Sequence, residues 1–183
     1  MNQKEPLAYR VRPKTLEEYV GQEHVIGKGK ILYRTIKADR LSSIILFGPP
    51  GCGKTSLARV ISETTKYKFY KMNAVTSGVA DIKKVIEETK NFMLNPTGKS
   101  ILFIDEIHRF NKLQQDALLP FVENGTIILI GATTENPYFE VNKALISRSM
   151  VIKLEPLTTE NVYTILKYAL TNKDGLRRLQ HKN

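Results

Sequence analysis

The stretch "ILFGPPGCGKTSLARV", residues 45–60, opens as an apolar run, breaks into Gly48-Pro49-Pro50-Gly51-Cys52-Gly53, and resumes with apolar residues at helical spacing. Packing alone does not require three glycines and two prolines in six positions. Gly48 and Gly53 enclose four residues and lead into Lys54 and Thr55, the G-x-x-x-x-G-K-[ST] spacing of a phosphate-binding loop. Both flanks fit that reading. Residues 43–47 have the length and isoleucine-rich composition of a buried parallel strand, and Leu57, Ala58, Val60 and Ile61 mark a helix over 55–64.

Glycines let successive backbone N–H groups turn inward around an anion, and the helix N-terminus adds its dipole to the concavity. The spacing therefore assigns Gly48, Pro49, Pro50, Gly51, Cys52, Gly53, Lys54, Thr55 and Ser56 to a nucleotide, with Lys54 on the β and γ phosphates and the Thr55 hydroxyl on magnesium. Cys52 fills a free position of the motif and is read as tolerated there, not as a nucleophile.

A chain of 183 residues holds one domain with a substantial core, or one domain and the start of another. Its 42% hydrophobic and 25% charged residues make disorder an unsuitable default. Cys52 is the only cysteine, which excludes an intramolecular disulfide and a cysteine-held zinc and points to a reducing, cytoplasmic setting. The opening "MNQKEPLAYRVRPKTLEEYV" lacks the apolar core of a secretory signal, and no run approaches the roughly 18 apolar residues of a membrane span. The net charge of +10 points to a polyanion, either DNA or the nucleotide itself. Because the charge is spread without a dense tract, a solvated basic surface explains it equally well.

Residues 1–42 are polar, basic and broken by Pro6 and Pro13, with short amphipathic pieces at 16–20 and 31–36, and read as an arm that leads into the fold. Strands and helices then alternate: strands at 43–47, 69–72, 100–105, 126–132 and 150–154, and helices at 55–64, 79–92 and 112–124, with a helical turn around 143–147. This pattern predicts an α/β fold, a parallel sheet flanked by helices, over residues 43–156. Pro120 should kink its helix or lie in its last turns, and Gly125 is a plausible C-cap. After Pro156 a further helix begins, with Thr158 or Thr159 as N-cap, in a final segment 157–183.

In "SILFIDEIHRF", residues 100–110, an apolar strand ends in Asp105 and Glu106. Ligands of parallel sheets collect at the carboxyl ends of strands, so Asp105 is placed to hold magnesium near Thr55 and Glu106 to take a proton from the water attacking the γ phosphate. Alone, such a pair could equally face solvent; the loop at 48–55 favours chemistry. His108 follows, and a histidine there is read as packing or hydrogen bonding with no chemistry assigned. The run "TIILIGATTENP", residues 126–137, brings Thr133, Thr134, Glu135 and Asn136 beside the other strand ends, where a hydroxyl or amide senses the γ phosphate or caps the next turn.

"GPPGCGKT", "LFIDEIHRF", "GATTENP" and "LISRS", in that order behind "RVRPKTLEEYVGQEHVIG", resemble the AAA+ ATPases, most closely the bacterial replication-associated recombination protein A family, akin to clamp-loader ATPases and the Holliday-junction branch-migration motor. The resemblance implies a P-loop ATPase that binds and hydrolyses MgATP in an oligomeric ring and acts in DNA replication, recombination and repair at stalled forks. Clamp loading, branch migration or a non-hydrolysing nucleotide switch are the alternative activities. It implies Walker A at residues 48–55, Walker B at Asp105 and Glu106, sensor 1 at Thr134, and an arginine finger at Arg148 that serves the neighbouring subunit's ATP.

The resemblance also places Val20, Gln22 and Ile26 beside adenine, with Arg10 and Arg12 either assisting there or forming an exposed basic arm. Single-stranded, gapped or forked DNA, a second copy of the chain, and replication proteins such as single-strand-binding protein are the partners implied. Family members continue into a helical lid with a second sensor arginine and then an oligomerisation region. This sequence is expected to stop within the first lid helix, and Arg177 and Arg178 are not assigned to that sensor.

Overall fold

The computed structural model describes residues 5–176. The apolar runs become five parallel strands: Ser43–Phe47 (β1), Lys68–Asn73 (β2), Ser100–Asp105 (β3), Ile127–Thr133 (β4) and Ser149–Lys153 (β5). They lie side by side in the order β2-β3-β4-β1-β5. This order accounts for the composition of each run. β1, β3 and β4 have a strand on either side and are buried almost throughout, whereas β2 and β5 lie at the margins and expose Lys68, Lys71 and Lys153. Successive residues point to opposite faces, so Ile44, Leu46, Phe103, Ile128 and Ile130 enter one core cluster while Ile45, Leu102, Ile104, Ile127 and Leu129 enter the other.

Nine helices and one 3-10 turn are assigned among the described residues. They are Leu7–Arg10 (α1), Glu23–Ile26 (α2), Ile31–Lys37 (α3), Lys54–Thr64 (α4), Val79–Lys90 (α5), Lys112–Glu123 (α6), Pro137–Glu140 (α7), Lys143–Ile146 (α8) and Thr159–Thr171 (α9), with the 3-10 turn at Ile107–Arg109. The apolar stripe of α4 packs on the first face, and Ile82, Val85 and Ile86 of α5 with Leu118 and Val122 of α6 pack on the second. The expected parallel α/β architecture is thus present, with element ends shifted by one or two residues.

Pro120 sits in the last turn of α6, where Asn124 N–H reaches its carbonyl, and Gly125 (φ 75°) follows the helix and donates to Val122 O. Thr158 caps α9 by accepting from Asn161 N–H at 3.1 Å. None of the helices among the described residues is long and apolar enough to cross a membrane.

One segment differs from its sequence reading. Residues 1–42 were expected as an arm, but α2, α3 and the connections beside them pack into the fold, and Leu16, Tyr19, Ile26, Leu32, Ile36 and Leu41 are buried in the first core cluster. The amphipathic piece at 31–36 does form a helix, α3, but pieces this short do not show what they pack against. Their burial becomes favourable only where the folded sheet offers them an apolar face.

The register sets the geometry of the upper edge. Phe47 pairs with Thr133 and with Lys153, and Ile104 pairs with Gly131, so β1, β4, β5 and β3 end together. Ser43 pairs with Ser149 at the opposite edge. Near the upper edge Gly131 permits a close approach: a Cβ at that position would lie 2.8 Å from Ile45 Cδ1 and 2.9 Å from Ile107 Cδ1, so its absence lets the Ile107 side chain of the 3-10 turn pack closely on β4.

Candidate functional site

The loop between β1 and α4 is built by two left-handed glycines, Gly51 (φ 77°) and Gly53 (φ 99°). Gly53 is the N-cap of α4 and offers no side chain, and the first intrahelical bond runs from Leu57 N–H to Gly53 O at 2.8 Å. The amides of Lys54, Thr55 and Ser56 precede that bond and point, as at any helix start, toward whatever anion lies ahead of the helix. Lys54 Nζ donates to Gly48 O at 2.7 Å and Pro49 O at 2.8 Å, so its ammonium is held over the loop. Cys52 is only 1% exposed, with its Sγ 3.8 Å from Lys54 Nζ. Thr55 makes no side-chain hydrogen bond among the described residues, and Asp105 accepts only from Glu106 N–H at 3.1 Å. Oxygen donors so disposed suit magnesium, which takes one or two protein oxygens and completes its shell with phosphate and water.

Sheet order brings these parts together. β4 separates β1 from β3, so the Asp105–Glu106 pair lies two strand spacings, about 10 Å, from the loop, with the end of β4 between them. Thr134 is exposed at that end. Its neighbour Thr133 is fully buried and contacts His108 Nδ1 at 2.8 Å, while His108 Nε2 lies 3.3 Å from Glu106 Oε2. Glu106 itself has φ 56° and ψ 42°, a left-handed backbone that a non-glycine residue occupies only when its surroundings hold it there. The sequence reading missed this chain of contacts because nothing in the spacing of Glu106, His108 and Thr133 joins them.

The residues expected beside adenine make contacts of their own within the chain. Gln22, itself in a left-handed conformation (φ 61°), donates through Nε2 to Cys52 O at 3.2 Å and Glu155 O at 2.7 Å, and its Oε1 accepts from Glu155 N–H at 2.9 Å. Its amide therefore ties the phosphate loop to the chain leaving β5. Tyr19 supports the same loop from beneath, donating to Gly53 O at 3.2 Å. Its burial pushes the phenol well above its ordinary pKa, with a further upward push from Cys52.

Ile26 is buried and Val20 half-buried. Ile26 borders a cleft of about 140 Å³ whose walls include Tyr19, Gly21 and Tyr33. Arg10 donates to Asp174 O at 2.8 Å, past the end of α9, while the Arg12 guanidinium lies 4.5 Å over the Tyr9 ring. Arg177 and Arg178 lie outside the described residues.

Arg148 forms an ion pair with Glu123 at the end of α6 and donates to Ala144 O at 2.9 Å. It immediately precedes Ser149, at the edge of the sheet opposite the phosphate loop. From Ser43, level with Ser149, to Gly48 is five residues of extended chain, about 16 Å.

A phosphate loop after β1, an acidic pair two strands away and a polar strand end between them define a P-loop nucleotide-binding domain of the AAA+ class. Residues 11–163 match the family model described as the Holliday junction DNA helicase RuvB P-loop domain, and the chain belongs to that family. It is 52% identical over 165 residues to the ATPase WRNIP1 of Dictyostelium discoideum, covering 90% of this chain and 19% of that protein. It is also 50% identical over 169 residues to the replication-associated recombination protein A of Escherichia coli K12, covering 92% of this chain and 38% of that one. Among solved structures, the Holliday junction branch migration motor RuvB of Thermotoga maritima superposes with a TM-score of 0.73 at 29% identity, over 90% of this chain and 55% of that chain. The chain thus spans well under half the length of these two curated relatives.

Proposed function

We propose that this chain is the nucleotide-binding core of an oligomeric, DNA-dependent ATPase acting in replication and recombination at stalled forks. The observation that carries the ATPase reading is the strand order, which sets the exposed end of β4 between the phosphate loop and Glu106. MgATP binds with its phosphates against the free amides of α4 and the Lys54 ammonium. Thr55 and Asp105 hold magnesium, which neutralises charge on the β and γ phosphates. Glu106 takes the proton of the attacking water, and Thr134 orients that water or the γ phosphate. Arg148 lies too far from its own loop to reach the ATP bound there, so its guanidinium acts on the ATP of a neighbouring copy. The DNA role is supported by the names of the Escherichia coli and Thermotoga maritima relatives and by the net charge of +10. Single-stranded, gapped or forked DNA and single-strand-binding protein are the partners proposed.

The test is phosphate release by the full-length protein with and without forked or gapped DNA, set beside Glu106→Gln. The variant should bind MgATP at least as well as the wild type and turn over more slowly by about 10²–10⁴. Tight MgATP binding with no release by the wild type under any DNA condition would make the protein a nucleotide switch. Undiminished release by Glu106→Gln would remove that residue from the role of base.

A further inference from the structure

The contacts around His108 leave little freedom in where the protons lie. The Thr133 hydroxyl accepts from Glu135 N–H at 3.0 Å and has one proton of its own to donate. Two acceptors lie within reach, His108 Nδ1 at 2.8 Å and Glu135 O at 3.5 Å, and the shorter contact takes the proton. With Nδ1 accepting, the neutral ring carries its proton on Nε2, the nitrogen that faces Glu106 Oε2. The hydroxyl, the ring and the carboxylate then form one line of polar contacts ending on the base, 2.8 Å from the hydroxyl to Nδ1 and 3.3 Å from Nε2 to Oε2.

Each part of that line is held. Thr133 is fully buried and is the last residue of β4, next to Thr134. The His108 side chain is 10% exposed, and Ile107 of its 3-10 turn packs closely on Gly131 of the same strand. Glu106 is the freer end, with a side chain 35% exposed on a left-handed backbone. A ring fixed at one nitrogen by β4 and facing a partly exposed carboxylate with the other restricts where that carboxylate can point.

We propose that His108 is a positioning residue for ATP hydrolysis: anchored by Thr133, it orients the Glu106 carboxylate and makes that orientation depend on the end of β4. This rests on the assignment of Glu106 as the base. Movement of β4 when the γ phosphate is present reaches Glu106 through the imidazole, so turnover is linked to the same strand end that carries Thr134.

The test compares His108→Phe, His108→Gln, Thr133→Val and the His108→Phe/Thr133→Val double variant in the full-length protein, measuring kcat, KM, MgATP affinity and melting temperature. Phenylalanine keeps the ring and loses both nitrogens; glutamine restores a donor near the place of Nε2. His108→Phe should lower kcat about 10- to 100-fold with MgATP affinity within about threefold of wild type. His108→Gln should regain part of that loss, Thr133→Val should lower kcat, and the double variant should be no slower than His108→Phe alone.

A purely structural role predicts the reverse pattern: affinity and melting temperature fall together, glutamine rescues nothing, and the two losses add. That pattern, or wild-type kcat in His108→Phe while Glu106→Gln is inactive, overturns the positioning role alone. Wild-type turnover in Glu106→Gln overturns the assignment of the base, and this proposal with it.

Discussion

At the scale of single residues, the loop depends on groups that hold its shape as well as on those that meet phosphate. Lys54 illustrates the second kind. In Lys54→Ala the loop loses a cation and its bonds to Gly48 O and Pro49 O but no core contact, so MgATP affinity should fall by roughly 10- to 100-fold, the worth of a charged hydrogen bond, while the melting temperature drops by only about 2–4 °C; paired nucleotide titrations and thermal melts check this. Tyr19 illustrates the first kind. A Cβ on Gly53 would lie 2.5 Å from the Tyr19 hydroxyl, so the two residues are matched. Because burial raises the Tyr19 pKa, the folded state favours the protonated phenol. That contribution is complete below the unfolded pKa of about 10 and is lost as pH rises above it. Stability curves by chemical denaturation between pH 8 and about 11 should therefore fall less steeply for Tyr19→Phe than for the wild type.

Among elements, the informative contact lies between the phosphate loop and the chain leaving β5. The Gln22 side chain is the only one seen to bond both Cys52 and Glu155 among the described residues, and it uses both of its amide atoms to do so. Gln22→Ala would leave two carbonyls and one N–H unpaired in a mostly buried place, at a cost of about 2–3 kcal/mol, or a melting temperature lower by about 4–12 °C. Loosening of the loop should also weaken MgATP binding, although no atom of Gln22 is assigned to phosphate. Calorimetry and nucleotide titration of the one variant measure both effects. A stable protein with wild-type affinity would show that the loop and the chain leaving β5 are held together by packing alone.

For the molecule as a whole, the decisive quantity is the separation of Arg148 from its own phosphate loop. Its pair with Glu123 is about 40% exposed on either side, so removing it should cost no more than about 1 kcal/mol, and Arg148→Ala should fold normally. In the assembled full-length protein, Arg148→Ala and Glu106→Gln should each be nearly inactive, since arginine fingers contribute about 10³–10⁵ in rate. Mixed under conditions of proven subunit exchange, they should regain part of the activity, because some interfaces pair an intact Glu106 with an intact Arg148. Phosphate release that stays at the level of the single variants after mixing would rule out action between subunits.

The phosphate loop, the acidic strand end and the alternation of strands and helices were legible in the sequence because each is local: a glycine spacing, an apolar run of strand length, a stripe at helical period. Strand order was not local. That β4 lies between β1 and β3, and that Arg148 sits at the far edge, follow from which strands pair, and pairing is settled by the packing of two core clusters assembled from distant parts of the chain. The same holds for residues 16–41, whose amphipathic pieces are too short to show their partner and whose apolar side chains are buried only in the folded core. Gln22, Tyr19 and His108 complete the contrast. The sequence by itself determined that a nucleotide loop and a carboxylate pair exist, because short motifs suffice to build them. Only the tertiary structure decided what holds each in place, because the polar atoms that do so are brought within 3.5 Å by folding, from as far apart as Gln22 and Glu155.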